Sequence, residues 1–215
     1  EGGMVTTNDP ELARKIRCLS LHGMSRDAWK RYSAEGSWYY EVIFQGYKYN
    51  MPDILAALGL SQLKKVEEMF KVRSRYAKIY EEQLSGLEAL ITPKASRDVR
   101  HAWHLYIIRL QTERLKITRN DFIQKLKAAG IGTSVHFVPL HLHPFYQRKF
   151  GYKYGDFPVA EKVYKSAISL PLYPKMTQEQ VYYVVSKVKE LLKEHQKPTL
   201  FPGYEILSDD SRMLL

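Results

Sequence analysis

Between residues 86 and 195, helix-start signals alternate with short apolar runs rich in β-branched and aromatic side chains, and this alternation restricts the fold more than any other feature. Thr118-Arg119-Asn120-Asp121 places a capping threonine three residues before an acid, and Thr177-Gln178-Glu179-Gln180 repeats the arrangement with a glutamine. In such a box the hydroxyl accepts an otherwise unpartnered first-turn amide, and the later side chain reaches back to the cap's own N–H. The first box predicts a helix running to Ala129-Gly130 and the second a helix to about residue 195. Residues 104–110, His-Leu-Tyr-Ile-Ile-Arg-Leu, read as a buried strand. Residues 131–138 read as a second strand, 156–169 as a helix and 170–173 as a short extended piece. A chain of this pattern must lay helices on a sheet, which makes it α/β.

Upstream the signals are helical. Asn8-Asp9-Pro10-Glu11 offers a capping side chain, a proline in the first turn and an early acid. Leu12, Ile16 and Leu19 follow at helical spacing to His22-Gly23, where glycine can take the left-handed stop. Cys18 reads as a small buried hydrophobe on that helix. Residues 24–49 have no clean period but carry Trp29, Tyr32, Trp38, Tyr39, Tyr40, Phe44, Tyr47 and Tyr49, so they are expected to pack or to bind. Asn50 reads as the N-cap of the next helix, with Asp53 in its first turn. Apolar spacing then continues to Leu84 as two helices or one bent one. The final stretch, 196–215, reads as a tail.

Composition narrows the function classes. No apolar run approaches the roughly 18 residues a membrane span needs. A single cysteine excludes an internal disulfide framework and points to a reducing compartment. The formal charge of +10 is spread over separated pairs and triplets with acids interleaved, so no nucleic-acid footprint stands out. A small anionic substrate suits it better. His136, His141 and His143 cluster in sequence, but no carboxylate or cysteine lies beside them to complete a metal set. P-loop, Gly-x-Gly-x-x-Gly and Gly-x-Ser-x-Gly signatures are absent.

Several separated segments carry a resemblance: Glu1-Gly2-Gly3-Met4-Val5-Thr6-Thr7, His22-Gly23, Gly46-Tyr47-Lys48-Tyr49-Asn50-Met51-Pro52-Asp53, His101-Ala102-Trp103-His104, Gly130-Ile131-Gly132-Thr133 running to His136-Phe137, and Leu170-Pro171-Leu172-Tyr173. In order and spacing they resemble the DegT/DnrJ/EryC1/StrS family, from residue 1 to about 195. Within it the Gly-Tyr-Lys-Tyr-Asn form and the Ile-Gly-Thr-x-x-His-Phe segment are most similar to enzymes that make 4-amino-4-deoxy-arabinose on a uridine nucleotide. The resemblance implies the C-terminal part of a fold-type I, aspartate-aminotransferase-like enzyme dependent on pyridoxal phosphate (PLP). Residues 1–50 would be the edge of the large cofactor domain with loops to a dimer partner, and 51–195 the connecting helices and small α/β domain.

The same resemblance implies roles. Asn50 would reach the cofactor phosphate of a neighbouring subunit, a place that a helix start also suits. His136 would face the nucleotide-sugar substrate, with Tyr47, Lys48 and His22 lining the same cleft. The Schiff-base lysine and the aspartate that pairs with the pyridine nitrogen would both precede Glu1, so this chain alone is expected to be inactive. An amino-acid donor, a homodimer and a cytoplasmic reaction complete the expectation. Two rivals stay open on sequence: a sugar dehydratase of the same family, and a non-enzymatic basic binding module.

Overall fold

A computed structural model describes residues 2–25 and 40–198. The chain divides into two compact units, Glu1–Val66 and Glu67–Leu215.

The first unit holds α1 (Pro10–Ser20) and α2 (Asp53–Leu63). Asp9 caps α1, its carboxylate accepting from the amides of Glu11 and Leu12. The helix ends where His22 (φ 58°) and Gly23 (φ 72°) turn left-handed, and the Gly23 amide returns to the Cys18 carbonyl at 2.9 Å. Cys18 is buried, as its helical position predicts, and its thiol donates to the Met24 carbonyl. Capping of α2 departs from expectation. Pro52, not Asn50, occupies the N-cap, and no side chain bonds the first-turn amides. Proline at that place fixes the entry φ, so the helix starts without a polar cap. Helix α2 is apolar around its circumference yet buries nothing, with Ile54, Leu55, Leu58, Leu60 and Leu63 all exposed. Of the aromatic residues expected to pack or bind, Trp29, Tyr32, Trp38 and Tyr39 lie outside the described residues.

The second unit contains the core. Here α3 (Val66–Leu84) leads into a three-stranded antiparallel sheet, β1 (Leu90–Ile91), β2 (Tyr106–Leu110) and β3 (Ala167–Leu170), in the order β1-β2-β3. The register sets Ile107 against Ser169 and Arg109 against Ala167. Because strand side chains alternate, Tyr106, Ile108 and Leu110 share one face and Ile107 and Arg109 the other. The first face joins a buried cluster with Tyr76, Tyr80 and Leu84 of α3, Phe122 and Leu126 of α4 (Arg119–Ala128), and Val181, Val184, Val185 and Val188 of α7 (Gln178–His195). Two of the buried tyrosine hydroxyls find backbone acceptors at element ends, while that of Tyr106 has no hydrogen-bond partner. Tyr76 donates to the Met176 carbonyl at 2.5 Å and Tyr80 to that of Pro171 at 2.8 Å. Burial raises the Tyr80 and Tyr106 phenols far above their ordinary range. Both predicted capping boxes form, Thr118 with Asp121 and Thr177 with Gln180.

Two local expectations change. Residues 131–138 form no strand and meet the sheet at Ser169, through the Ser134–Ser169 bridge and the His136 side chain. Ile131 is the one apolar side chain of that segment to reach the core, while Phe137 and Val138 stay exposed, so nothing holds its length along β3. The helix expected over 156–169 is α6, Pro158–Ser166, and it gives way at once to β3. All four residues of β3 are buried, which a helix presenting a single face to the core could not achieve. A short helix between them, α5 (Pro144–Phe150), follows the 3-10 turn Leu140–Leu142.

Candidate functional site

In the first unit the segments 19–25 and 41–49 run against each other backbone to backbone. Tyr47 donates to the Leu19 carbonyl at 2.7 Å, His22 to that of Tyr47 at 2.8 Å, and Tyr49 to that of Ser20 at 2.8 Å. Ile43 and Phe44 both donate to the Gly23 carbonyl. The approach is so close that a Cβ on Gly23 would lie 1.8 Å from the Phe44 carbonyl oxygen, and one on Gly46 would lie 2.0 Å from the Gly23 nitrogen. The His22-Gly23 and Gly46-Tyr47 segments, separated in sequence, are therefore the two halves of one contact.

That contact fixes the residues singled out by sequence. Tyr47 and Tyr49 stack with centroids 5.0 Å apart and planes 5° from parallel. Between them in sequence, Lys48 turns to Asn50, its ammonium donating to Asn50 Oδ1 at 2.6 Å. Asn50 has no capping duty, and with its oxygen occupied its amide N–H groups remain as donors beside a cation. Such a donor set suits a phosphate. Thus Tyr47 joins the exposed aromatic stack while Lys48 joins Asn50, and His22 meets Tyr47 through its backbone.

His136 belongs to the second unit, where it is half-buried with Nδ1 2.7 Å from Ser169 Oγ. Ser169 is buried in β3 and pairs across the ladder with Ile107, which places His136 on the sheet face opposite the core. Thr133 Oγ1, three residues earlier, is buried without a hydrogen-bond partner.

One polar pair escapes sequence reading. His141 Nε2 sits 2.8 Å from Glu161 Oε1, both side chains almost fully buried, and the Gly155 amide donates to the same oxygen at 2.8 Å. Burial alone would push the Glu161 carboxyl up, but hydrogen bonds from His141 and from the Gly155 and Phe157 backbone hold it below its ordinary value. The carboxylate missing beside the histidines in sequence comes from twenty residues away, and only the fold could reveal it. Among the described residues no three metal-ligating side chains gather.

Comparisons with known proteins identify the family and the fold. Residues 1–189 match the DegT/DnrJ/EryC1/StrS aminotransferase family. The chain is 61% identical over 196 residues to the uncharacterized protein MJ1066 of Methanocaldococcus jannaschii, covering 91% of this chain and 51% of that protein. It is 53% identical over 194 residues to the spore coat polysaccharide biosynthesis protein SpsC of Bacillus subtilis, covering 90% of this chain and 50% of the relative. The putative sugar aminotransferase Spr1654 of Streptococcus pneumoniae, solved in apo, PMP and PLP forms, superposes in its apo form with a TM-score of 0.74 at 30% identity, over 87% of this chain and 45% of that one. The chain thus spans about half the length of the curated relatives it matches.

Proposed function

Since the chain belongs to the DegT/DnrJ/EryC1/StrS aminotransferase family, with the mixed α/β fold of fold-type I aminotransferases, we propose that it is the C-terminal part of a PLP-dependent enzyme that aminates a nucleotide-linked keto-sugar. Glutamate serves as the amino donor, and the product feeds a surface polysaccharide, as the part SpsC plays in spore coat polysaccharide biosynthesis supports. The Gly-Tyr-Lys-Tyr-Asn and Ile-Gly-Thr-x-x-His-Phe segments favour the uridine-linked 4-amino-4-deoxy-arabinose type. The cofactor, when bound, supplies an electron sink that lets nitrogen pass between the two substrates. The lysine that anchors it and the aspartate on its ring nitrogen belong to the half preceding this chain. Residues 1–50 contribute the edge of the cofactor domain, and 51–195 the connecting helices and small domain.

The observation that carries the reading is the Lys48–Asn50 pair. Lys48 holds the amide oxygen, which turns the Asn50 N–H groups outward as donors to the cofactor phosphate, and adds a positive charge beside it. The same reading assigns His22 and Tyr47, and in the second unit His136, to the sugar substrate. The enzyme works as a homodimer in the cytoplasm, each site completed by the neighbouring subunit. The exposed apolar circumference of α2 supports assembly, since a helix apolar all round is stable only when covered. No helix among the described residues is long and apolar enough to cross a membrane.

Asn50→Asp in the full-length enzyme tests the phosphate contact. The substitution removes both N–H donors and sets a carboxylate against the phosphate, so PLP binds at least about tenfold more weakly, roughly 1.4 kcal/mol. With no cap to lose, the melting temperature without cofactor stays unchanged. Asn50→Ser falls between the two. Unchanged PLP affinity in Asn50→Asp refutes the assignment.

A further inference from the structure

The sheet face opposite the core is only partly roofed. Helix α6 packs on β2 there, and between them lies a groove of about 460 Å³. It is lined by Arg109 with the β1 residue Ile91, by the turn through Gln111, Thr112 and Glu113, and by Lys162 and Lys165 of α6 with Tyr154. Arg109 stands in this position because the strand alternation that buries Ile108 and Leu110 turns it to the opposite side. Lys162 and Lys165, three residues apart on α6, share one helix face.

Three cations thus share one lining with two acids, leaving an excess of positive charge. Arg109 and Lys162 have no ion pair among the described residues. Lys165 donates to the Tyr154 hydroxyl, a neutral acceptor that keeps the ammonium above its usual pKa and orients it. Of the two acids in the lining, Glu161 is buried with its oxygen held by His141 and the Gly155 amide and adds its charge beside Lys165, while Glu113 is exposed. A half-buried guanidinium forks onto two oxygens of one anion, and two ammonium groups opposite act as point charges on a second.

We propose that this groove binds a small molecule through a diphosphate, Arg109 gripping one phosphoryl group and Lys162 and Lys165 the other. The volume lies within the range of small-ligand sites, so the groove holds the diphosphate together with the group it carries. The assignment uses the second unit alone and does not depend on the aminotransferase reading.

Calorimetric titration of the full 215-residue chain with inorganic pyrophosphate tests it. One saturable site is expected, with orthophosphate and succinate each binding at least about tenfold more weakly because they span one cation cluster or lack the phosphoryl geometry. Arg109→Gln and the double change Lys162→Gln, Lys165→Gln each weaken pyrophosphate at least about tenfold, while Lys127→Gln on the exposed face of α4 changes it less than about twofold. Circular dichroism and melting temperature check each variant's fold. The two lysines are exposed, so the double variant tests the site even if the strand change disturbs β2. Nucleoside diphosphate and free pyrophosphate titrated side by side show whether the groove also holds the attached group. Absence of saturation, succinate binding as tightly as pyrophosphate, or an equal loss in Lys127→Gln overturns the proposal, the last because scattered surface charge would then explain the binding.

Discussion

A methyl group added at position 46 lands 2.0 Å from the Gly23 nitrogen and 2.5 Å from the His22 carbonyl carbon. Carbon contacts settle near 3.5 Å. Since both neighbours are backbone, no rotamer change relieves the overlap, and in Gly46→Ala the two segments must part by roughly 1.5 Å. The hydrogen bonds on either side start at 2.7 Å for Tyr47 to Leu19, 2.8 Å for His22 to Tyr47 and 2.9 Å for Ile43 to Gly23. That separation carries them past the useful range. At about 0.5–1.5 kcal/mol net each, losing three costs roughly 2–4 kcal/mol of local stability, close to the penalty for overpacking. The assay is amide hydrogen exchange at His22, Tyr47 and Tyr49. If the contact opens locally, exchange there accelerates roughly 30- to 700-fold, each tenfold being about 1.4 kcal/mol. Gly59→Ala serves as the control. Its Cβ meets nothing within 4 Å, and removing a glycine from α2 strengthens the helix by about 1 kcal/mol without touching the contact. Exchange at His22 and Tyr47 within twofold of wild type in Gly46→Ala would refute the idea that the two motif segments are held by glycine-to-glycine approach.

Other expectations concern the second unit. Phe122 is fully buried between α4 and the sheet, so Phe122→Ala should cost about 3–5 kcal/mol in urea unfolding, with a smaller loss for Phe122→Leu. Glu161 has a folded pKa below its ordinary 4.5, so its contribution is complete above that value and disappears as pH falls through the folded pKa. Glu161→Gln should therefore lower stability near neutrality and flatten its acid limb, and parallel wild-type and variant curves between about pH 6 and pH 3 would contradict the buried His141 pair.

Local chemistry wrote much of this chain's architecture into its sequence. The Thr118 and Thr177 boxes, the Asp9 cap and the glycine stops at 23 and 130 act within one turn, so their residues announce them. The strand at 106–110 was legible because Tyr, Ile and Leu alternate along a half-buried ladder. Burial on both sides hid β3: Ala167-Ile168-Ser169-Leu170 continues the apolar spacing of α6, and only pairing with Tyr106 to Arg109 makes it a strand.

Candidate-site residues divide the same way. Gly46 through Asp53 stood out as a motif, and so did His22-Gly23, but that the two meet backbone to backbone is a property of the folded first unit. Asn50 looked like a cap by position, yet Pro52 takes the cap and Lys48 takes the Asn50 oxygen, an outcome set by the strand-like course the Gly23 contact imposes on residues 47–50. His141 with Glu161, and Arg109 with Lys162 and Lys165, lie tens of residues apart, and no periodicity links them. Sequence alone determined the family and the helices α1, α4 and α7 with their caps, because these rest on neighbours within a few residues. Tertiary structure decided which glycines touch, which carboxylate a histidine finds and where uncancelled charge collects, because those depend on distances that exist only after the chain has closed on itself.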